Sequence, residues 1–179
     1  MKKIFILFIL IIAQSCQMRG LTNDFGKLSA NDKAKIVKLK TFENLNLNSV
    51  YKINGLQLKE ELLKYNNAIV YEFTNGCTSE FCRPLSVYEN FAEKHHYKLF
   101  LVMNGFGAIE ETIEQRHNQP LFAIDGDYYH KWFRATYTRY FLNELLGKPL
   151  KTKEGEYLGS IYFFTKGKLD KILMDLPNE

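Results

Sequence analysis

The sequence predicts an α/β domain: a central mixed, partly parallel sheet flanked by helices and closed by a C-terminal β-hairpin. Three observations lead there. Ala68 to Phe73 (AIVYEF), Leu99 to Met103 (LFLVM) and Leu121 to Asp125 are β-rich apolar runs long enough for buried strands. Helical patterns alternate with them, and parallel strands need such crossovers. Finally, Ile161 to Phe164, the turn Lys166-Gly167 and Leu169 to Leu173 read as a hairpin, which adds antiparallel strands.

The elements follow in order. Lys2 and Lys3 form a positive n-region, and Ile4 to Ala13 is an unbroken apolar run. A run of about ten residues fits a signal-peptide core and falls short of the roughly 20 that a transmembrane helix needs. Ala13-Gln14-Ser15-Cys16 follows. Small residues ahead of a cysteine suit the tight cleavage pocket of a lipoprotein signal peptidase. The stretch resembles a bacterial lipobox, with Gln14 a less usual member. It implies that residues 1–15 are removed and that Cys16 carries lipid. A diacylated cysteine supplies the two chains that stable anchoring requires. The expected location is therefore the cell envelope, as a membrane-anchored lipoprotein facing the periplasm. An ordinary secretory signal with an incidental cysteine is the alternative.

Residues 16–50 read as a tether and N-terminal extension, rich in Asn and Lys, with poorly defined structure over 17–48. Ala30 to Val37 fits a short helix, and Val37 to Lys40 alternates like an edge strand. The domain proper spans 51–179. Leu56 to Tyr65 predicts a helix with Leu56, Leu58, Leu62 and Leu63 on one face, stopped by Asn66-Asn67. Thr74-Asn75-Gly76 is turn chemistry. A helix from Pro84 to His96 follows, with Pro84 in the first turn, where its missing N–H costs nothing. Asn104 to Gly107 is a loop, and Ala108 to His117 a helix. Lys131 to Leu146 is a long helix stopped by Gly147 and Pro149. Its aromatics Trp132, Phe133, Tyr137, Tyr140 and Phe141 predict core packing; a hydrophobic groove is the other option.

Composition narrows the function. Loss of residues 1–15 leaves about 164 residues, enough for one domain with a real core. The precursor carries a net charge of +4, and Lys2 and Lys3 leave with the signal. The remainder, about +2 and dispersed, excludes an electrostatic case for nucleic acid. No phosphate loop, Ser–His–Asp arrangement or zinc spacing stands out, so no cofactor and no metal are expected. His95-His96 at a helix end suits the dipole better than a metal; His117 and His130 are isolated.

Cysteine arithmetic is more informative. There are three. With Cys16 assigned to lipid, Cys77 and Cys82 form an even pair in an oxidising compartment, where a nearby pair is bridged or redox-active.

At this point the chain resembles the thioredoxin superfamily, and more closely its extracytoplasmic, membrane-anchored thiol–disulfide oxidoreductases. The likeness covers roughly residues 56–174. Glu72-Phe73 ends a buried strand; Cys77, Cys82-Arg83 and a helix through Phe91-Ala92-Glu93-Lys94 follow; LFLVM sits where the family's next strand sits. Ile161 to Lys168 looks like the family's final hairpin. Two departures stand out. The spacing is Cys-x-x-x-x-Cys instead of Cys-x-x-Cys, and Leu158-Gly159-Ser160 occupies the place of the family's cis-proline.

The resemblance implies a catalytic set of Cys77, Cys82 and Glu72. Cys77 is the candidate nucleophile and Cys82 the resolving thiol. A thiolate at a helix start is stabilised by backbone N–H groups and the dipole. An offset of five places two side chains about 140° apart on an ideal helix. Bridging needs Cα atoms within about 7 Å, so at least Cys77 must lie in a loop, with the helix starting near Arg83 or Pro84. Glu80 opposes thiolate formation and Arg83 favours it. In relatives an acid at Glu72 lies buried beneath the cysteines and moves protons; period-two alternation alone would put it on a solvated edge. The implied partners are protein thiols or disulfides in the cell envelope and, through Cys16, the membrane. The alternative is a non-catalytic thioredoxin-like lipoprotein that binds a partner, with Cys77–Cys82 as a structural disulfide. A third class, a peroxide-reducing enzyme, lacks its expected motif here.

Overall fold

Buried apolar runs at β3, β4, β5 and β6 decide the centre of the sheet, and the helices between the strands decide which of them lie parallel. The computed structural model describes residues 20–77, 82–153 and 159–177. The strands are β1 (Ile36–Lys38), β2 (Val50–Ile53), β3 (Asn67–Phe73), β4 (Lys98–Met103), β5 (Leu121–Ile124), β6 (Ile161–Thr165) and β7 (Lys168–Leu173). The helices are α1 (Ala30–Lys35), α2 (Gly55–Leu62), α3 (Leu85–Lys94), α4 (Ile109–Glu114) and α5 (Arg134–Leu145), with a 3-10 turn at Phe25–Lys27. The sheet order is β1-β2-β5-β4-β3-β6-β7. Strands β1 to β5 are mutually parallel where they pair, while β6 runs antiparallel to β3 and β7 antiparallel to β6. The α/β class with a mixed sheet flanked by helices is therefore as the sequence predicts.

Alternation along the strands builds two cores. Ala68, Val70, Phe100, Val102, Phe122, Tyr162 and Phe164 face Leu58 and Leu62 of α2 and Tyr137, Phe141 and Leu145 of α5. The odd partners Ile69, Tyr71, Leu99, Leu101, Leu121 and Phe163 face Leu85, Tyr88 and Ala92 of α3. Burying a large apolar side chain is worth about 1.5–3 kcal/mol, so period-two patterning on both faces forces helices onto both.

Several expectations shift. Within the stretch read as poorly defined, Ile36–Lys38 forms β1, overlapping the edge strand expected at Val37 to Lys40, and pairs with β2; Leu39 is buried, and Leu39 N donates to the Lys52 carbonyl at 3.1 Å. β2 goes unread in the sequence because four residues between polar stretches show too little periodicity. Helix α2 starts at Gly55 under an Asn54–Gln57 capping box. Of its leucines, Leu58 and Leu62 are buried, whereas Leu56 and Leu63 are exposed. The i, i+4 pair takes the core face, and its neighbours fall outside. At Gly55 a Cβ would overlap the Phe141 carbonyl, so glycine permits the close crossing of α2 on α5. Helix α5 begins at Arg134, which leaves Trp132 and Phe133 on a preceding loop in water instead of in the core. Residues 1–15, Cys16, Glu80 and Leu158 lie outside the described residues. No helix among the described residues is long and apolar enough to cross a membrane.

Candidate functional site

The parallel strands β2 to β5 end at one edge of the sheet, and their following loops meet there. Ligands of open α/β sheets bind at such carboxyl ends. The loop after β3 carries Thr74-Asn75-Gly76-Cys77, and the loop after β4 carries Asn104 to Ala108. The Asn75 amide ties them by donating to the Gly105 carbonyl at 3.0 Å. Gly76 takes φ +64°, and a Cβ on it would lie 2.7 Å from the Ala108 Cβ. Glycine is required there on both counts.

Cys77 and Cys82 have Cα atoms 6.0 Å apart, with their sulfurs at disulfide-bonding distance. Both lie in irregular chain, Cys77 exposed and Cys82 half-buried. This is the geometry that a five-residue offset requires. Helix α3 starts three residues past Cys82, so neither cysteine sits in its first turn. Pro84 occupies the N-cap position, not the first turn, and Leu85 N is taken by Gln115 Oε1 at 3.3 Å. The guanidinium of Arg83 turns from the sulfurs to Asp175, at 2.5 Å.

The disulfide opens on a cleft of about 550 Å³ lined by Glu72, Thr74, Tyr88, Asn104, Thr112 and Ser160, among others. Tyr71 and Tyr88 form one wall, with ring centroids 3.8 Å apart. Burial raises the pKa of both phenols.

Glu72 lies on β3, between β4 and β6, and not on a solvated edge. Burial of its carboxyl group raises its pKa, opposed by an Asn104 hydrogen bond and the Arg134 charge. The Asn104 amide donates to Glu72 Oε1 at 2.6 Å and to Thr74 Oγ1 at 2.9 Å. Arg134 Nη1 in turn donates to Asn104 Oδ1 at 3.3 Å. The Tyr137 hydroxyl donates to the Asn104 carbonyl, and Asn104 N to the Phe73 carbonyl. Asn104 is thus the hub that joins the acid, the cysteine loop and the start of α5. Sequence reasoning takes it as a loop residue; its position just past a buried parallel strand is the available signal. Arg134 and Ser160 carry no such signal.

Among the described residues no three His, Cys, Asp or Glu side chains converge as a metal site. His95 packs on Phe91, with rings 4.4 Å apart, and the His117 ring contacts the Gln119 carbonyl at 2.8 Å. Neither approaches the cysteine cleft's lining.

Comparison with protein-family models, with curated proteins and with solved structures returns no match.

Proposed function

We propose that this chain is a membrane-tethered, thioredoxin-like protein that exchanges thiols and disulfides in the cell envelope through Cys77 and Cys82. The observation that carries the reading is a reachable cysteine pair opening on a cleft whose lining holds a half-buried acid, Glu72, tied to Asn104. Topology supports the thioredoxin likeness: β3, the cysteine loop, α3 and β4 follow in order, β3 and β4 are parallel, and the β6–β7 hairpin lies antiparallel beside β3. Strand β5 inserted between β2 and β4 is an elaboration of that plan.

In the reduced state the exposed Cys77 thiolate attacks one sulfur of a partner disulfide. A mixed disulfide forms and the partner's other sulfur leaves as a thiolate. Cys82 then attacks Cys77 Sγ, which releases the partner as a dithiol and leaves Cys77–Cys82 oxidised. Two electrons pass to the partner, and the two protons shed by the cysteines end on its thiols. Glu72 accepts the proton of Cys82 as that thiol turns nucleophile. The same steps reversed oxidise a partner dithiol.

Ser160 favours a second reading, a binding protein with a structural disulfide. Its N–H donates to the Leu173 carbonyl at 3.1 Å and its carbonyl accepts from Glu72 N at 2.8 Å. The backbone at the family's proline position is therefore occupied within the sheet. Insulin reduction together with the measured potential of the pair separates the two. Turnover, with a Cys82→Ser variant trapping mixed disulfides through Cys77, supports exchange. A potential below about −300 mV without turnover overturns it.

A further inference from the structure

Large apolar side chains remain in water where the N-terminal segment meets the loop after β5. Trp132 is 82% exposed, Phe133 63% and Leu21 49%. Thr22 forms an antiparallel bridge with Phe133, and Arg134 N donates to the Leu21 carbonyl at 2.9 Å. The loop is pinned by His130 N on the Asp127 carbonyl at 3.1 Å and Lys131 N on the Gly126 carbonyl at 3.3 Å. A cleft of about 490 Å³ lies between Thr22 and Trp132. The same stretch of sequence buries Tyr137, Tyr140 and Phe141, so aromatic rings here are not excluded from the core by composition. Exposed apolar surface of this kind marks an interaction site.

Chain length selects the partner. Cys16 precedes Gly20 by four residues, at most about 14 Å of extended chain. Gly20 N donates to Asp24 Oδ2 at 3.0 Å, and Gly20 packs against the Arg134 guanidinium. The chain leading from Cys16 therefore enters the fold beside the patch, next to Leu21 and Phe133. We propose that Leu21, Trp132 and Phe133 dock into the interfacial layer of the bilayer that holds the lipid of Cys16. This rests on the acylation of Cys16 assumed above. Trp favours the membrane–water interface, where the ring is apolar and its N–H stays wet. Lys131, exposed and next to Trp132 in the chain, carries its ammonium over the Tyr140 ring at 6.0 Å and swings from there to reach anionic headgroups. The nearby Asp127 carboxylate is paired with Lys52 at 2.5 Å, which blunts its repulsion.

Trp132 is the single tryptophan of the chain, so its fluorescence reports this surface alone. The full chain, produced in a host that acylates lipoproteins, is reconstituted into phosphatidylcholine–phosphatidylglycerol vesicles with or without brominated acyl chains. The expected result is blue-shifted Trp132 emission, quenched by the bromine and restored by more than half in a Leu21→Ser/Phe133→Ser variant. Mass spectrometry of the N-terminal peptide reads the lipid independently. A lipidated chain with unquenched Trp132 overturns the docking and leaves the anchor standing. An unlipidated chain quenched by added vesicles supports the docking surface and overturns the anchor; absence of both overturns both. A vesicle-free blue shift that grows with protein concentration assigns the patch to a second copy and overturns the bilayer.

Discussion

Replacing Asn104 with Ala removes the amide that donates to Glu72 Oε1 at 2.6 Å, and its cost should depend on pH. The Glu72 pKa lies above its ordinary value of 4.5, because burial disfavours the charged form. The native state therefore keeps a proton that the unfolded chain has lost. Stability from that proton is full below the ordinary value and is lost as pH rises through the raised native value. Asn104 opposes the rise, so Asn104→Ala pushes the native value further up and extends the loss to higher pH. A hydrogen bond between neutral groups is worth about 0.5–1.5 kcal/mol, and one to a charged group about 1.5–3 kcal/mol. The Glu72 bond should therefore cost about 0.5–1.5 kcal/mol while the acid is protonated and about 1.5–3 kcal/mol once it is ionised. The bonds of Asn104 to Thr74 and Arg134 add an offset that does not change with Glu72. Urea unfolding followed by circular dichroism across the acid to alkaline range measures this. Glu72→Gln supplies the control: it should flatten the wild-type slope and make the Asn104→Ala penalty independent of pH. A penalty equal at every pH with Glu72 present, or one that still varies in the Glu72→Gln background, refutes the coupling.

Gly76→Ala should cost about 1–2 kcal/mol from the left-handed backbone alone, with the 2.7 Å approach to Ala108 adding to it; thermal melts read the loss. Phe141→Ala, at a fully buried site, should cost about 3–5 kcal/mol in urea unfolding. Arg83→Ala breaks a half-exposed ion pair with Asp175 and should cost no more than about 1 kcal/mol, a value that a double-mutant cycle with Asp175→Asn isolates. Cys77→Ser/Cys82→Ser opens a loop with a sequence separation of 5 and should lower stability by about 2 kcal/mol in urea, whichever role the pair serves.

The α/β class was legible because β3, β4, β5 and β6 are dense apolar runs, and burial at that density leaves little choice of secondary structure. The loop position of Cys77 followed from helix geometry, since a five-residue offset cannot be bridged on a helix. Short elements were less legible. β1 and β2 are three and four residues long, and their strandhood comes from pairing, β1 with β2 and β2 with the distant β5, where Val50 lies opposite Leu121. The leucines of α2 divide between core and solvent only because α5 lies on one side of them. Trp132 and Phe133 read as core within a helix from Lys131, yet helix α5 starts three residues later, at Arg134, and leaves both on the loop before it.

What the sequence determined by itself is therefore local: which central segments are buried, which stretches are helical, and that Cys77 and Cys82 lie close enough to pair. The tertiary structure alone decided that Glu72 lies half-buried between β4 and β6, that Asn104 holds it, that Arg83 answers to Asp175, and that an aromatic face stands beside the chain's entry at Gly20. Each of these joins residues about 30 to more than 100 positions apart, and no periodicity within one segment encodes a contact made between segments.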